Sequence, residues 1–275
     1  MTSTASPSAV LQRASLRTLS VVAPSFVERL VVDKFTTPSR ARRSLIDASL
    51  GEPWFVHSGD ERIAVYTSGD GPRVLLVHGW EGVASDFATL AEAFRARGFG
   101  VVAFDQPAHG RSSGKRTTLP KMARAVLDVA RATGPFAAVV GHSLGASSVL
   151  LALRDGLPAQ RAVLISPPRD AREFIHMLGQ RLGLTARRVA GAIALLERTV
   201  GSVGGRETDR VANQLRVPGL VLHDRDDRAV PFSHGVAIAA AWPGARFVPL
   251  TGVGHRRSLD AEAVRAEILT FVGEG

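Results

Sequence analysis

The sequence predicts an α/β protein: an open, mostly parallel, doubly wound sheet with a small helical cap. Three observations predict it. Short apolar runs such as Val74-Leu-Leu-Val77, Phe99 to Phe104 and Gly219-Leu-Val-Leu-His223 lack polar alternation, so they read as strands covered on both faces. Segments with helical spacing separate them, and that alternation implies parallel crossover units. One unit, Phe136 to Leu153, passes from strand to helix through the tight turn Gly141-His-Ser-Leu-Gly145.

Composition bounds the function. A chain of 275 residues can bury a sizeable core, and 45% apolar with 21% charged residues is ordinary for a globular protein. There is no cysteine, which excludes disulfides, thiolate metal sites and a Cys nucleophile. The net charge is +9 and the pI about 11.2. Nearly all the basic residues are arginine, the lysines being Lys34, Lys115 and Lys121. The arginines are scattered, in no run longer than a pair, and no basic stripe alternates with aromatics, so no nucleic-acid partner is expected. No HExxH and no His/Asp/Glu cluster stands at metal spacing, so neither a metal nor another cofactor is expected.

Residues 1–50 read as a disordered tip and a helical arm. Met1 to Ala9 is small and polar. From Val10 to Phe35, apolar residues at Leu11, Leu16, Leu19, Val22, Phe26, Leu30 and Val31 suggest one amphipathic helix, or two interrupted near Pro24. The arm either packs on the body or makes a membrane-surface or dimer contact. It lacks the compact basic start of a signal peptide, and Arg13, Arg17, Glu28 and Arg29 break its apolar runs before they reach spanning length. A cytoplasmic protein without a transmembrane segment is expected.

The core is expected over 51–168 and 214–275. Trp54-Phe-Val56 and Arg62 to Tyr66 flank Ser58-Gly-Asp60 as a hairpin. The strand Val74–Val77 ends in His78-Gly-Trp-Glu-Gly82. Ser85-Asp86 caps a helix that runs to Arg97, and Gly98 stops it. The strand Phe99–Phe104 leads into the loop Asp105 to Ser112, and a helix from Leu119 to Arg131 precedes the serine strand. Arg161 to Ser166 is a strand closed by Pro167-Pro168. Residues 169–213 show no clear strand; Phe174, Ile175, Leu178 and Leu182, then Val189, Ile193 and Leu196, have helical spacing. That is more helix than a crossover needs, and it reads as a cap over the site. After Gly219–His223 come the acidic loop Asp224 to Pro231, a helix to Trp242, the strand Ala245–Leu250, the loop Gly252 to Arg257, and a final helix Leu259–Val272.

The turn at Ser143 carries the chemistry. A serine between a buried strand and a helix is pushed outward above the carboxyl edge of the sheet. The chain holds a second match to G-x-S-x-G, Gly110-Arg-Ser-Ser-Gly114, which serves as a control: no strand enters it and no helix leaves it, so Ser112 is set aside. A serine hydroxyl needs a base, which is usually His, and a carboxylate to orient that base; in the fold expected here they follow in the chain order Ser, acid, His. Among eight histidines only His234 and His255 follow the acidic loop. His234 lies inside a helix, whereas His255 sits in a Gly-rich loop just past a strand, so His255 is the expected base. Asp224, Asp226 and Asp227 all remain candidate acids on spacing alone. The backbone N–H of Leu144 is one expected oxyanion donor, and the loop after Val77 supplies the other.

From about Trp54 to its end the chain resembles the Ser-Asp-His hydrolases of the α/β-hydrolase superfamily. The resemblance is carried by His78-Gly-Trp80, Asp105-x-Pro-Ala-His-Gly-x-Ser112, Gly141-His-Ser-Leu-Gly145, Asp227-x-x-Val-Pro231 and Gly254-His255. It implies Asp227 as the acid, with Asp226 as runner-up, and the N–H of Trp80 as the second oxyanion donor. The Trp80 indole then walls the substrate pocket, where His142 is also placed without a chemical role. His78 and His109 are expected as loop anchors; His57, His176 and His223 are given no role. The implied activity is that of a carboxylesterase acting through acyl-Ser143 on an uncharged ester. The alternatives are perhydrolysis, C–C or amide hydrolysis by the same triad, or a ligand-binding protein on a hydrolase scaffold. Serine at 143 argues against epoxide hydrolases and haloalkane dehalogenases, which need Asp there.

Overall fold

The computed structural model describes residues 19, 21–39, 50–201 and 205–274, with the side chains of 205–207 excepted. The expected disordered tip, residues 1–9, and the start of the arm lie outside the described residues. The chain divides into two compact units, Met1–Thr37 with Asp170–Gly204, and Pro38–Arg169 with Gly205–Gly275.

The larger unit is built on one eight-stranded sheet. Its strands are β1 (Trp54–Ser58), β2 (Glu61–Ser68), β3 (Arg73–Val77), β4 (Gly100–Phe104), β5 (Ala138–His142), β6 (Ala162–Ile165), β7 (Gly219–Asp224) and β8 (Arg246–Leu250), in the order β1-β2-β4-β3-β5-β6-β7-β8. The hairpin β1–β2 and the β2–β4 pair are antiparallel, and every other pair is parallel. Pro249 sits in β8, an edge strand, where a missing N–H donor is tolerated. The order reverses at β3, with β4 on one side and β5 on the other. Ligands of open α/β sheets bind beyond the carboxyl ends of strands at such a point. Val77 pairs with both Phe104 and Gly141, so β3, β4 and β5 finish nearly level.

Alternate residues of the strands feed two cores, as a sheet covered on both faces requires. Val74, Leu76, Val140, Val163 and Leu222 pack with Phe87, with Leu90 and Phe94 of α2 (Ala88–Arg95), and with Val264, Ile268 and Phe271 of α9 (Glu262–Gly273). Leu75, Val77, Val139, Leu164 and Val221 pack on the other side. There they meet α3 (Leu119–Thr133), α4 (Leu144–Arg154), α7 (Gly205–Gln214) and α8 (Phe232–Ala241) through residues such as Val126, Val149, Val211 and Ile238.

Several boundaries differ from expectation. The serine strand begins at Ala138 and runs on to His142, because Phe136 makes only an isolated bridge to Ala159. The helix expected from Ser85-Asp86 opens as a 3-10 turn, Ala84–Phe87, in which Asp86 Oδ2 accepts the Val83 N–H at 3.1 Å. The final helix expected from Leu259 is split into a 3-10 turn, Arg257–Leu259, and α9.

The smaller unit holds α1 (Pro24–Thr36), α5 (Ala171–Arg181) and α6 (Ala186–Val200). Pro24 stands at the start of α1, where its missing N–H has no partner to lose. Val31 packs with Ile175, Val189, Ala192, Ile193 and Leu196, and Arg188 pairs with Glu28 at 2.9 Å. Val21, Val22, Phe26 and Leu30 are exposed. The helical insertion expected over 169–213 therefore divides near 204, and α7 belongs with the sheet. The reason is local: Val211, Ala212 and Leu215 enter the sheet's core, and the Arg169 guanidinium grips both oxygens of Asp209 at 2.8 and 2.5 Å. No described helix is long and apolar enough to cross a membrane.

Candidate active site

Ser143 stands between β5 and α4 with φ 53° and ψ −128°, a conformation rare for any residue with a Cβ. Close packing enforces it. The Ser143 N–H donates to Ile165 O at 2.8 Å, holding the turn to β6. A Cβ on Gly145 would overlap the carbonyl oxygens of Val77 and His78. Helix and strand can meet at this distance only because that residue is glycine.

The loops after β7 and β8 bring two more groups to the serine. His255 Nε2 lies 3.0 Å from Ser143 Oγ, and His255 Nδ1 lies 2.7 Å from Asp227 Oδ2. A carboxylate only accepts, so Nδ1 carries the proton and Nε2 is left to accept from the serine. Asp227 Oδ1 accepts the N–H groups of Ala229 and Val230 at 2.8 and 2.9 Å. Burial acts to raise the Asp227 carboxyl. The hydrogen bonds from His223, His255 and the Val230 N–H outweigh it and hold the group far below the usual carboxylate range.

The other two candidate acids shape the loop. Asp224 is buried; its Oδ2 accepts the N–H groups of Val253 and Gly254 at 2.5 and 3.0 Å, and its Oδ1 accepts the N–H of Asp226 at 2.6 Å. Burial opposes ionisation there too, and those three N–H donors still lower its pKa. Asp226 Oδ2 accepts the Gly252 N–H at 3.2 Å. Both carboxylates tie the His255 loop to the end of β7, and neither makes a hydrogen bond to His255.

His142 does more than line a pocket. Its Nε2 donates to the His255 carbonyl at 3.0 Å, and the two rings lie 4.8 Å apart. Burial, reinforced by the facing His255, pushes His142 down to about 3, so its ring is neutral at ordinary pH. His223, given no role from sequence, is fully buried, with Nε2 3.5 Å from Asp227 Oδ2. Only its position four residues before Asp227, which opens the D-x-x-V-P motif, could have drawn attention to it.

A cavity of about 310 Å³ opens over Ser143 and His255, lined in part by Gly79, Trp80, His142, Arg256 and Leu259. A Cβ on Gly79 would come 2.7 Å from that of Ser143, so the loop after β3 lies directly against the serine. Two histidines hold that loop. His78 Nδ1 donates to Gly79 O at 2.8 Å while its Nε2 accepts the Gln106 N–H at 2.9 Å. His109 Nδ1 donates to Pro107 O at 3.0 Å while its Nε2 accepts the Glu81 N–H at 3.0 Å. Trp80 packs edge-on to His109. Leu144 is the first residue of α4, where an N–H has no partner within the helix.

The residues set aside stand elsewhere. Ser112 is buried; its Oγ donates to Asp105 O at 2.6 Å and accepts the Ala64 N–H at 2.9 Å. His234 accepts the Arg169 N–H at 3.1 Å. His57 and His176 are exposed.

Known proteins resemble this chain in sequence and in fold. A bifunctional esterase/perhydrolase of Acinetobacter calcoaceticus is 26% identical, over 74% of this chain and 92% of its own. A pimeloyl-(acyl-carrier protein) methyl ester esterase of Xanthomonas oryzae pv. oryzae is 29% identical, over 74% of this chain and 96% of its own. The solved esterase of Exiguobacterium antarcticum shares the fold, with a TM-score of 0.64 at 17% identity, covering 80% of this chain and 99% of that one. A family model described as the alpha/beta hydrolase family matches residues 74–267. Matched over most of its length, the chain belongs to the alpha/beta hydrolase family.

Proposed function

We propose that the protein is a serine hydrolase that cleaves an uncharged carboxylic ester through an acyl-Ser143 intermediate. The observation that carries this reading is the continuous line from Asp227 Oδ2 through His255 to Ser143 Oγ, at 2.7 and 3.0 Å. His255 Nε2 takes the Ser143 proton as Oγ attacks the ester carbonyl. The N–H groups of Leu144 and Trp80 receive the oxyanion. The intermediate collapses as His255 passes the proton to the departing alcohol, leaving acyl-Ser143. Water, deprotonated by His255, then attacks the acyl group and releases the acid. Asp227 stays ionised throughout and stabilises the imidazolium formed at each attack.

A cavity of about 310 Å³ is at the small end for ligand sites, which favours short acyl chains. A series of p-nitrophenyl esters from acetyl to lauroyl tests this, with Ser143→Ala beside the wild type. Turnover falls with chain length in the wild type and is lost in the variant. An active-site-directed phosphonate adds its mass at Ser143. Turnover that survives in Ser143→Ala overturns the reading, and a wild type that neither turns over esters nor takes up phosphonate is a binding protein on this scaffold.

A second reading has one supporting observation, the relation to a protein named as both esterase and perhydrolase. Hydrogen peroxide in place of water would resolve the acyl-enzyme to a peracid, and peracid formation from acetate ester and peroxide tests it. For the arm, the exposed Val21, Val22, Phe26 and Leu30, with Arg29 and Lys34 exposed beside them, support a peripheral contact with an anionic membrane surface. Sedimentation with phosphatidylglycerol vesicles, lost in Phe26→Glu, tests that contact.

A further inference from the structure

Asp227 presents Oδ2 to two histidines. His255 Nδ1 lies 2.7 Å from it, and His223 Nε2 lies 3.5 Å from it. His223 Nε2 is also 3.1 Å from Val230 O. Both facing oxygens only accept, so the His223 proton sits on Nε2, hydrogen-bonded to Val230 O at the shorter distance and facing Asp227 Oδ2 at the longer one. Its Nδ1 has no hydrogen-bonding partner among the described residues. The backbone of Gly235 presses against that side, where a Cβ would overlap Nδ1, and the Phe232 ring packs edge-on at 5.9 Å. The ring therefore has no room to turn.

A fully buried imidazole with one nitrogen unpartnered carries a desolvation cost that an apolar side chain in the same place would not. Packing alone does not account for a histidine here. The nitrogen that is used points at the carboxylate and at Val230, the same residue whose N–H holds Asp227 Oδ1 at 2.9 Å. One donor thus faces both the carboxylate and the residue whose N–H holds its other oxygen.

We propose that His223 is a positioning residue that holds Asp227 Oδ2 in line with His255 Nδ1, and thereby keeps His255 Nε2 aimed at Ser143 Oγ. The inference rests on the serine-hydrolase reading above. It acts through Asp227 alone, since nothing places His223 at the substrate.

The test compares His223→Leu, which removes the donor, with His223→Gln, which restores one at about the same reach, and with His223→Asn, whose amide is too short to reach Asp227. His223→Leu and His223→Asn lose roughly tenfold to a hundredfold in kcat with KM little changed, the worth of a hydrogen bond to a charged group. His223→Gln recovers most of it. In an Asp227→Asn background His223→Leu costs nothing further, whereas a residue that merely supports the fold would add its loss. Equal kcat in wild type and His223→Leu, or additive losses in the double variant, overturns the proposal. Should His223→Leu not fold, His223→Asn and His223→Gln carry the same comparison. A readout without substrate separates this proposal from the esterase reading: the downfield NMR signal of the His255 Nδ1 proton, which shifts in His223→Leu and stays in His223→Gln. If no ester is hydrolysed yet that signal behaves so, the esterase reading fails and the positioning role stands. An unmoved signal in His223→Leu overturns the positioning role whatever the enzyme does.

Discussion

Asp224, Asp226 and Asp227 stand within four positions and make three different sets of bonds. Asp227 faces His255, Asp224 takes three backbone N–H groups, and Asp226 takes one. Asp227→Asn presents an N–H or a weaker acceptor to His255 and lets the imidazole take the wrong tautomer; kcat falls by about 10⁴. Asp226→Asn leaves kcat within a few fold, because the Asn oxygen still accepts the Gly252 N–H that ties the His255 loop and only a screened charge is lost. Both are measured on one ester at one pH, and reversed results reassign the acid. Ser112 offers the complementary case, a serine in a G-x-S-x-G match with no catalytic neighbour. Ser112→Ala strands the buried Ala64 N–H and the Asp105 carbonyl and lowers stability by about 1–3 kcal/mol in urea melts, while kcat of the folded fraction is kept. A Ser112→Ala protein that is stable but inactive would contradict this.

At the scale of elements, the strand–turn–helix unit depends on β3 and α4 approaching each other at Gly145. Gly145→Ala drives a methyl group into the Val77 and His78 carbonyls, so α4 must move off β3. The cost is roughly 1–3 kcal/mol or more, and because the same displacement shifts Ser143 and the His78–Trp80 loop, kcat falls with it. Thermal melts and kcat measured together check this; a variant with wild-type values for both would show that the elbow has slack. The loop after β8 has a different dependence. It has no strand or helix of its own at Gly252–His255 and is held by Asp224, Asp226 and the His142 ring.

For the whole molecule, three of the same groups set the response to acid. His142 is pushed down to about 3 from its ordinary 6.5, so between these values the unfolded chain binds a proton that the native state refuses. Stability is therefore full above pH 6.5 and falls as pH drops, by up to about 1.4 kcal/mol per pH unit for this one group. Asp224 and Asp227 are held below the ordinary 3.8, so their contribution is present above pH 3.8 and is lost only below it. The urea midpoint should decline gently below pH 6.5 and more steeply below about pH 4. His142→Gln removes the first phase and leaves the second; an unchanged profile would show that His142 protonates without penalty. The arginines contribute less than their number suggests. Pairs such as Arg172–Glu197 and Arg246–Glu267 are largely exposed, and such pairs are each worth about 0–1 kcal/mol.

Local patterns alone determined the fold class, the order of the elements in the sheet-forming unit, and the turn at Ser143. Apolar runs, glycines at turns and helical spacing are short-range signals, and the fold here follows them closely. That Ser143 and not Ser112 stands at a strand-to-helix turn was also legible, because it depends on the segments flanking each. Which carboxylate faces His255 was not legible from spacing, since three follow one strand and only the tertiary structure brings Asp227 to hydrogen-bond distance of it. The extent of the helical insertion needed packing as well, because the helical spacing of residues 205–214 looks the same whether Val211 and Leu215 face other inserted helices or the sheet. The bond from His142 to the loop after β8, and any part for His223, were invisible for the same reason. A histidine's part is set by which carbonyl or carboxylate its ring nitrogen meets, and residues as distant in sequence as His142 and His255 meet only once the sheet has placed β5 and the loop after β8 side by side.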